Sequence, residues 1–137
     1  MSRARRTAAT AAACALWMTL SVERARATAV RTMEEFSERV LMADANAIVK
    51  FYVDSCGHCR ALRRAWTRLG ETFGERVVVA EVDCDDAREV CARYDVRSYP
   101  TIRFFDEVNG EDGEEYGGNR GVDFDSLAAF VEHRLER

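Results

Sequence analysis

Two short runs, residues 46–53 (NAIVKFYV) and 76–84 (RVVVAEVDC), are rich in β-branched and aromatic residues and do not alternate apolar with polar. A strand with one solvated face alternates, whereas a strand covered on both faces reads as a continuous apolar run. Two such runs, separated by a helix-like stretch over 56–73 that ends near Gly70 or Gly74, demand helices on both sides of a sheet. A further short helix over 85–95 (DDAREVCARYD), with Asp85 or Asp86 as cap, continues the alternation. Right-handed crossovers then place the two strands parallel at the centre of an α/β sandwich.

The rest of the chain fills in around that centre. "TMEEFSERVLMADA" offers Thr32 as N-cap, acids in the first turn and Met33, Phe36, Val40 and Leu41 at helical spacing, so a helix of two to three turns is predicted. A short strand fits residues 29–31. "TIRFFDEV" (101–108) and "EEYGG" (114–118) are strand candidates on either side of a Gly- and Asn-containing turn, which predicts an antiparallel hairpin at the sheet edge. "DFDSLAAFVEHRL" (123–135) opens on an Asp cap and carries Phe124, Leu127, Phe130 and Val131 on one face.

With 137 residues and 47% apolar content, one core and one domain are expected. Residues 1–27 stand apart. Arg3, Arg5 and Arg6 precede an uncharged stretch over 7–22, and Ala25-Arg26-Ala27 fits a small-x-small cleavage site, the grammar of a secretory signal peptide. Its Arg- and Ala-rich composition also suits a plastid or mitochondrial transit peptide. The apolar part is shorter than the ~20 residues that span a bilayer, so no stable membrane insertion is expected once the leader is removed. The domain is then 28–137. Removal takes five arginines and one glutamate, leaving 15 basic and 23 acidic residues, a net charge of −8 that argues against nucleic acid and anionic membranes as partners. Cys14 leaves with the leader, and the even set Cys56, Cys59, Cys84 and Cys91 favours disulfide chemistry behind a secretory signal.

Cys56 and Cys59 sit where the strand-like run gives way to the helix. A cysteine at a helix N-terminus sees the positive end of the dipole and free backbone N–H groups, both of which stabilise a thiolate. A second thiol three residues on shares its face and can attack a mixed disulfide formed at the first. His58, between them, can hold positive charge near the Cys56 sulfur, or be a plain surface histidine. Two other readings of the pair stand beside the reactive dithiol. A metal clamp would need two more ligands, and Cys84 and Cys91 are separated by six residues rather than two to four, so no metal is expected. A purely structural disulfide could close the same loop.

"FYVDSCGHCRAL", "VDCDDAREVCARYDVRSYPTIRFF" and "EEYGGNRGVDFDSLAAFV" together resemble the thioredoxin-like domain of the protein disulfide isomerases over about residues 28–136. Cys-Gly-His-Cys, with Gly57 in second place, Tyr-Pro-Thr and Tyr-x-Gly-x-Arg occur in order. The resemblance implies the thioredoxin-like fold, a central mixed sheet flanked by helices. It implies that Pro100 is cis and lies against the dithiol with Tyr99 beside it, where a substrate strand pairs. It implies that Arg97 can swing toward the second cysteine, although a solvated charge is an equally simple reading. It also implies that Cys84 and Cys91 form a structural disulfide, against the alternative of two small buried thiols. Three positions depart from the family, in two places. Ser55 stands where it has Trp before the first cysteine, with Asp54 in place of the preceding Pro. Lys50, the only lysine, stands where it has a buried acid. Burial could desolvate Lys50 enough to make it neutral and basic, or, as the favoured expectation, its four-carbon stem carries its charge out to solvent.

The activity implied is thiol–disulfide oxidoreduction through Cys56 and Cys59, which would form, reduce or reshuffle disulfides in folding client proteins. No cofactor is implied beyond redox exchange with glutathione or protein dithiols. The alternative is a redox-weak binding module that holds unfolded clients or a partner. The ER lumen is the expected compartment. The final EHRLER is not a Lys-Asp-Glu-Leu-type retrieval signal, so residence there would need another mechanism.

Overall fold

The computed structural model describes residues 27–117 and 121–137. Residues 1–26 of the expected leader lie outside the described residues, as do Gly118 and Arg120 of the Tyr-x-Gly-x-Arg motif. Among the described residues five strands form one sheet: β1 (Thr28–Val30), β2 (Asn46–Tyr52), β3 (Val77–Asp83), β4 (Thr101–Phe105) and β5 (Glu114–Glu115). Their order is β1-β3-β2-β4-β5. β3 runs parallel to both β1 and β2, and β4 is antiparallel to β2 and β5. The helices are α1 (Met33–Phe36), which runs on as a π-helical turn over Ser37–Leu41, then α2 (Gly57–Phe73), α3 (Arg88–Arg93) and α4 (Phe124–Leu135).

The central strands are buried on both faces, as their continuous apolar runs require. Along β2, Ala47, Val49 and Phe51 join Val30, Phe36, Ala80, Val82, Val90 and Tyr94 in the layer under α1 and α3. Ile48, one residue out of phase, joins Leu62, Trp66, Leu69, Val77, Val79 and Leu127 in the layer under α2 and α4. The two-residue period of a strand therefore assigns Lys50, in phase with Ile48, to the α2 side.

Three local expectations are corrected. Neither Asp85 nor Asp86 caps α3. Asp83 takes that turn instead, its side chain accepting the Asp85 N–H at 2.9 Å and its carbonyl the Ala87 N–H at 2.7 Å, so the helix starts only after Ala87. The first helix is a single α-helical turn that widens into π geometry. The hairpin is shorter than predicted because Asp106 ends β4: its carboxylate accepts the N–H groups of Val108 and Asn109 at 3.0 and 2.8 Å. The return passes through Gly113, whose φ of 64° and Phe105 ring, 2.7 Å from where a Cβ would stand, admit no side chain. Thr32 caps α1 and Asp123 caps α4 as predicted, and the strand near residues 29–31 forms one residue earlier.

Candidate active site

β2 ends at Tyr52, and residues 53–55 turn the chain so that α2 begins beneath Cys56. Cys56 is itself the N-cap, with extended backbone (φ −80°, ψ 118°), and its Sγ accepts the Cys59 N–H at 3.2 Å. The first four N–H groups of a helix have no intrahelical partner, and a sulfur placed among them gains most when it is a thiolate. The Cys56 thiol is accordingly pulled below the ordinary cysteine value. The Cys59 thiol donating to it is the main cause; the backbone N–H groups of Cys59 and His58 and the charge of Arg60 add to this. Cys59, only 4% exposed, is pushed up to about 11, chiefly by burial and then by donating to Cys56. The N–H of Val53 and the charge of Lys50 oppose that rise. The two sulfurs thus differ in the direction that makes one a nucleophile at neutral pH and holds the other in reserve.

On the other side of Cys56, the Tyr99–Pro100 peptide is cis and the Tyr99 carbonyl lies 3.6 Å from the Cys56 Sγ. Thr101 fixes this turn through its hydroxyl, which donates to the Ser98 carbonyl at 2.7 Å. The turn leads directly into β4, the neighbour of β2, which is why residues 43 positions apart in the chain meet.

The remaining predicted positions divide. His58 is exposed and reaches the Cys56 sulfur through its backbone N–H rather than its ring. Gly57 has open space where a Cβ would be, so packing does not dictate glycine there. Ser55 and Asp54 are exposed, and Asp54 makes only a long, solvated pair with Arg63 at 3.7 Å. Arg97 does not join the cysteines: its guanidinium donates to Asp95 at 3.0 Å in open solvent. Cys84 and Cys91 are bonded, their Cα atoms 5.7 Å apart, which ties the end of β3 to α3. Among the described residues no group of three or more His, Cys, Asp and Glu could hold a metal ion. No helix among them is long and apolar enough to cross a membrane.

Lys50 departs most from expectation. Its charge does not reach solvent: the residue is 3% exposed, and its Nζ lies 3.0 Å from Glu81 Oε2. β2 is flanked by β3 and β4 and roofed by α2, so the short reach of the stem brings the ammonium to the Glu81 carboxylate rather than into bulk water. Glu81 escaped sequence reasoning altogether. The one available signal was a lone acid in phase with Val77 and Val79 of a buried strand.

The pKa directions carry a direct expectation. Iodoacetamide at pH 7 should modify Cys56 at an initial rate at least ~100-fold that of Cys59, because the thiolate fraction falls about tenfold for each unit of pKa above the pH. The Cys59 rate should then climb about tenfold per unit between pH 7 and 9, while that of Cys56 flattens. Peptide mass spectrometry of brief labelling reads both, and faster labelling of Cys59 would reverse the roles.

A parallel–antiparallel sheet between two helix layers, with a dithiol at the start of the long helix and a cis-proline turn against it, is the arrangement of thioredoxin-fold proteins. The crystal structure of the Trx4 domain of ERdj5 superposes with a TM-score of 0.66 over 80% of this chain and 96% of that one, at 23% identity, a likeness of fold. The family model for thioredoxin matches residues 27–133, and the chain belongs to that family. Protein disulfide-isomerase 5-1 of Arabidopsis thaliana is 39% identical over 108 residues, covering 77% of this chain and 71% of its own. A probable protein disulfide-isomerase A6 of Medicago sativa is 37% identical over 107 residues, but the chain spans only 29% of its length.

Proposed function

We propose that the protein is a thiol–disulfide oxidoreductase of the protein disulfide-isomerase kind, acting on cysteines of folding client proteins. One observation carries this reading: Cys56 caps α2 with its sulfur and has Cys59 hydrogen-bonded to it one turn on. The Cys56 thiolate attacks one sulfur of a client disulfide, forming a mixed disulfide and releasing the other client sulfur as a thiolate, which takes a proton from solvent. The Cys59 thiolate then attacks Cys56 Sγ. The Cys56–Cys59 bond forms, the bond to the client breaks, and the client leaves fully reduced while the protein holds the disulfide. The reverse sequence oxidises a client dithiol; the disulfide form of the protein is returned to the dithiol by glutathione or a protein dithiol, and the dithiol form is returned to the disulfide by glutathione disulfide or a protein disulfide.

The Tyr99 carbonyl beside Cys56 supports a client strand pairing there, next to cis Pro100. The leader motif and the names of the relatives support a site of action in the secretory pathway, with the ER lumen first. Insulin reduction by the protein and its Cys56→Ser variant tests the proposal. Turnover should fall to background in the variant, whereas a module that only holds unfolded chains would show no cysteine-dependent turnover in either protein.

A further inference from the structure

The Lys50–Glu81 pair has no part in the exchange chemistry as just described, yet it is the one ion pair with a nearly fully buried cation beneath the dithiol among the described residues. Residues 50 and 81 are direct partners in the parallel β2–β3 register and lie on the α2 face with Ile48 and Val79. Burying an ion pair gains little stability, since desolvation offsets the attraction, so its presence under a titrating group asks for a local reason.

We infer that Lys50, clamped by Glu81, stabilises the Cys59 thiolate electrostatically, so that Cys59 releases its proton directly to solvent and Glu81 acts as a positioning residue rather than as proton acceptor. The inference rests on the oxidoreductase reading, in which Cys59 must ionise to resolve a mixed disulfide. In that step Cys59 loses H⁺ to solvent, its sulfur forms the bond to Cys56 Sγ, the Cys56–client bond breaks, and the client thiolate takes up a proton from solvent.

Three observations support it. Cys59, Lys50 and Glu81 line one cavity of about 580 Å³ that opens to solvent, which gives the proton an exit. The Lys50 Nζ has partners on three sides, the Glu81 carboxylate at 3.0 Å and the rings of Tyr52 and Trp66 at 4.8 and 5.4 Å. The two partners also differ in screening: Glu81 is 29% exposed and Lys50 4%, so water attenuates the field of the anion more than that of the cation. The other titratable groups facing the cavity are Tyr52 of β2, Asp54 of the loop, and Arg60, Arg63 and Glu71 of α2. All of these but Tyr52 are exposed, and burial keeps the Tyr52 hydroxyl protonated, its value pushed up to about 12. The cation with least water around it is therefore Lys50, and it opposes the burial that raises Cys59.

The test uses full-length protein with ¹³Cβ-labelled cysteine in a Cys56→Ser background, where the Cβ resonance of Cys59 reports its ionisation without any need for turnover. Lys50→Met should move that titration up by about one pH unit, Lys50→Arg should restore it, and Glu81→Gln should lower it or leave it in place. The same spectra show whether each variant folds. With Cys56 present, stopped-flow decay of a Cys56 mixed disulfide at pH 7 should slow about tenfold in Lys50→Met and should not slow in Glu81→Gln. An unmoved titration in Lys50→Met overturns the inference. So does a slowed decay in Glu81→Gln whose Cys59 titration is not raised, the signature of a lost proton acceptor. Failure of the oxidoreductase reading has a different signature, the absence of Cys56-dependent insulin turnover with the Lys50 shift intact.

Discussion

Cys59→Ser is expected to leave the protein covalently attached to its clients. Cys56 keeps its place at the start of α2 and still attacks, because the Cys59 backbone N–H that supports its sulfur survives the substitution. What disappears is the sulfur one helical turn away that returns the attack. Release then depends on outside thiols. Groups held in reacting geometry behave as if present at effective concentrations of 10⁵ M or more, against millimolar free thiol, so release should slow by more than ~1,000-fold. A non-reducing gel of the variant mixed with an unfolded disulfide-bonded protein should show an adduct that persists for hours and vanishes with dithiothreitol. The double variant lacking both Cys56 and Cys59 should show none. Equal adduct lifetimes in the parent protein and Cys59→Ser would mean that Cys59 does not resolve.

Phe36→Ala should lower the folding free energy by about 3–5 kcal/mol, a large part of the 5–15 kcal/mol typical of a domain. Phe36 is fully buried and is the side chain through which α1 enters the core. Its ring lies 5.0 Å from Tyr94, 5.6 Å from Phe105 and 6.4 Å from Phe51, so one truncation opens a void shared by the C-cap of α3, β4 and β2. The urea midpoint should fall while the slope stays constant. A loss below about 1 kcal/mol would show that the surrounding rings collapse into the gap.

The sequence disclosed the fold where side-chain pattern and secondary structure report the same thing. β2 and β3 were readable because a strand covered on both faces has no polar phase. The start of α4 was readable because Asp123 makes a local cap, its carboxylate accepting the Ser126 N–H at 3.0 Å. Cys56, Cys59 and Pro100 were readable through motif and resemblance, and the structure brings Cys56 to the Tyr99 carbonyl. What stayed hidden depends on neighbours that are distant in the chain or on competition between adjacent groups. The partner of Lys50 is set by the register of parallel strands 31 residues apart, which no local pattern encodes. Asp85 and Asp86 looked like caps because nothing in the sequence says that Asp83 takes the turn first. Arg97 is near the site in the chain, yet Asp95, with its backbone at φ 49°, holds the guanidinium away from it.

The cap at the start of α2 links the oxidation state of the protein to its stability. A sulfur bound in a disulfide carries no negative charge and accepts N–H bonds poorly, so oxidation weakens the side chain that caps α2, the longest helix among the described residues. By thermodynamic closure, whatever the reduced cap contributes to folding also favours the dithiol over the disulfide. The cap of α2 is thus a contribution to the redox equilibrium of the dithiol as well as to the fold.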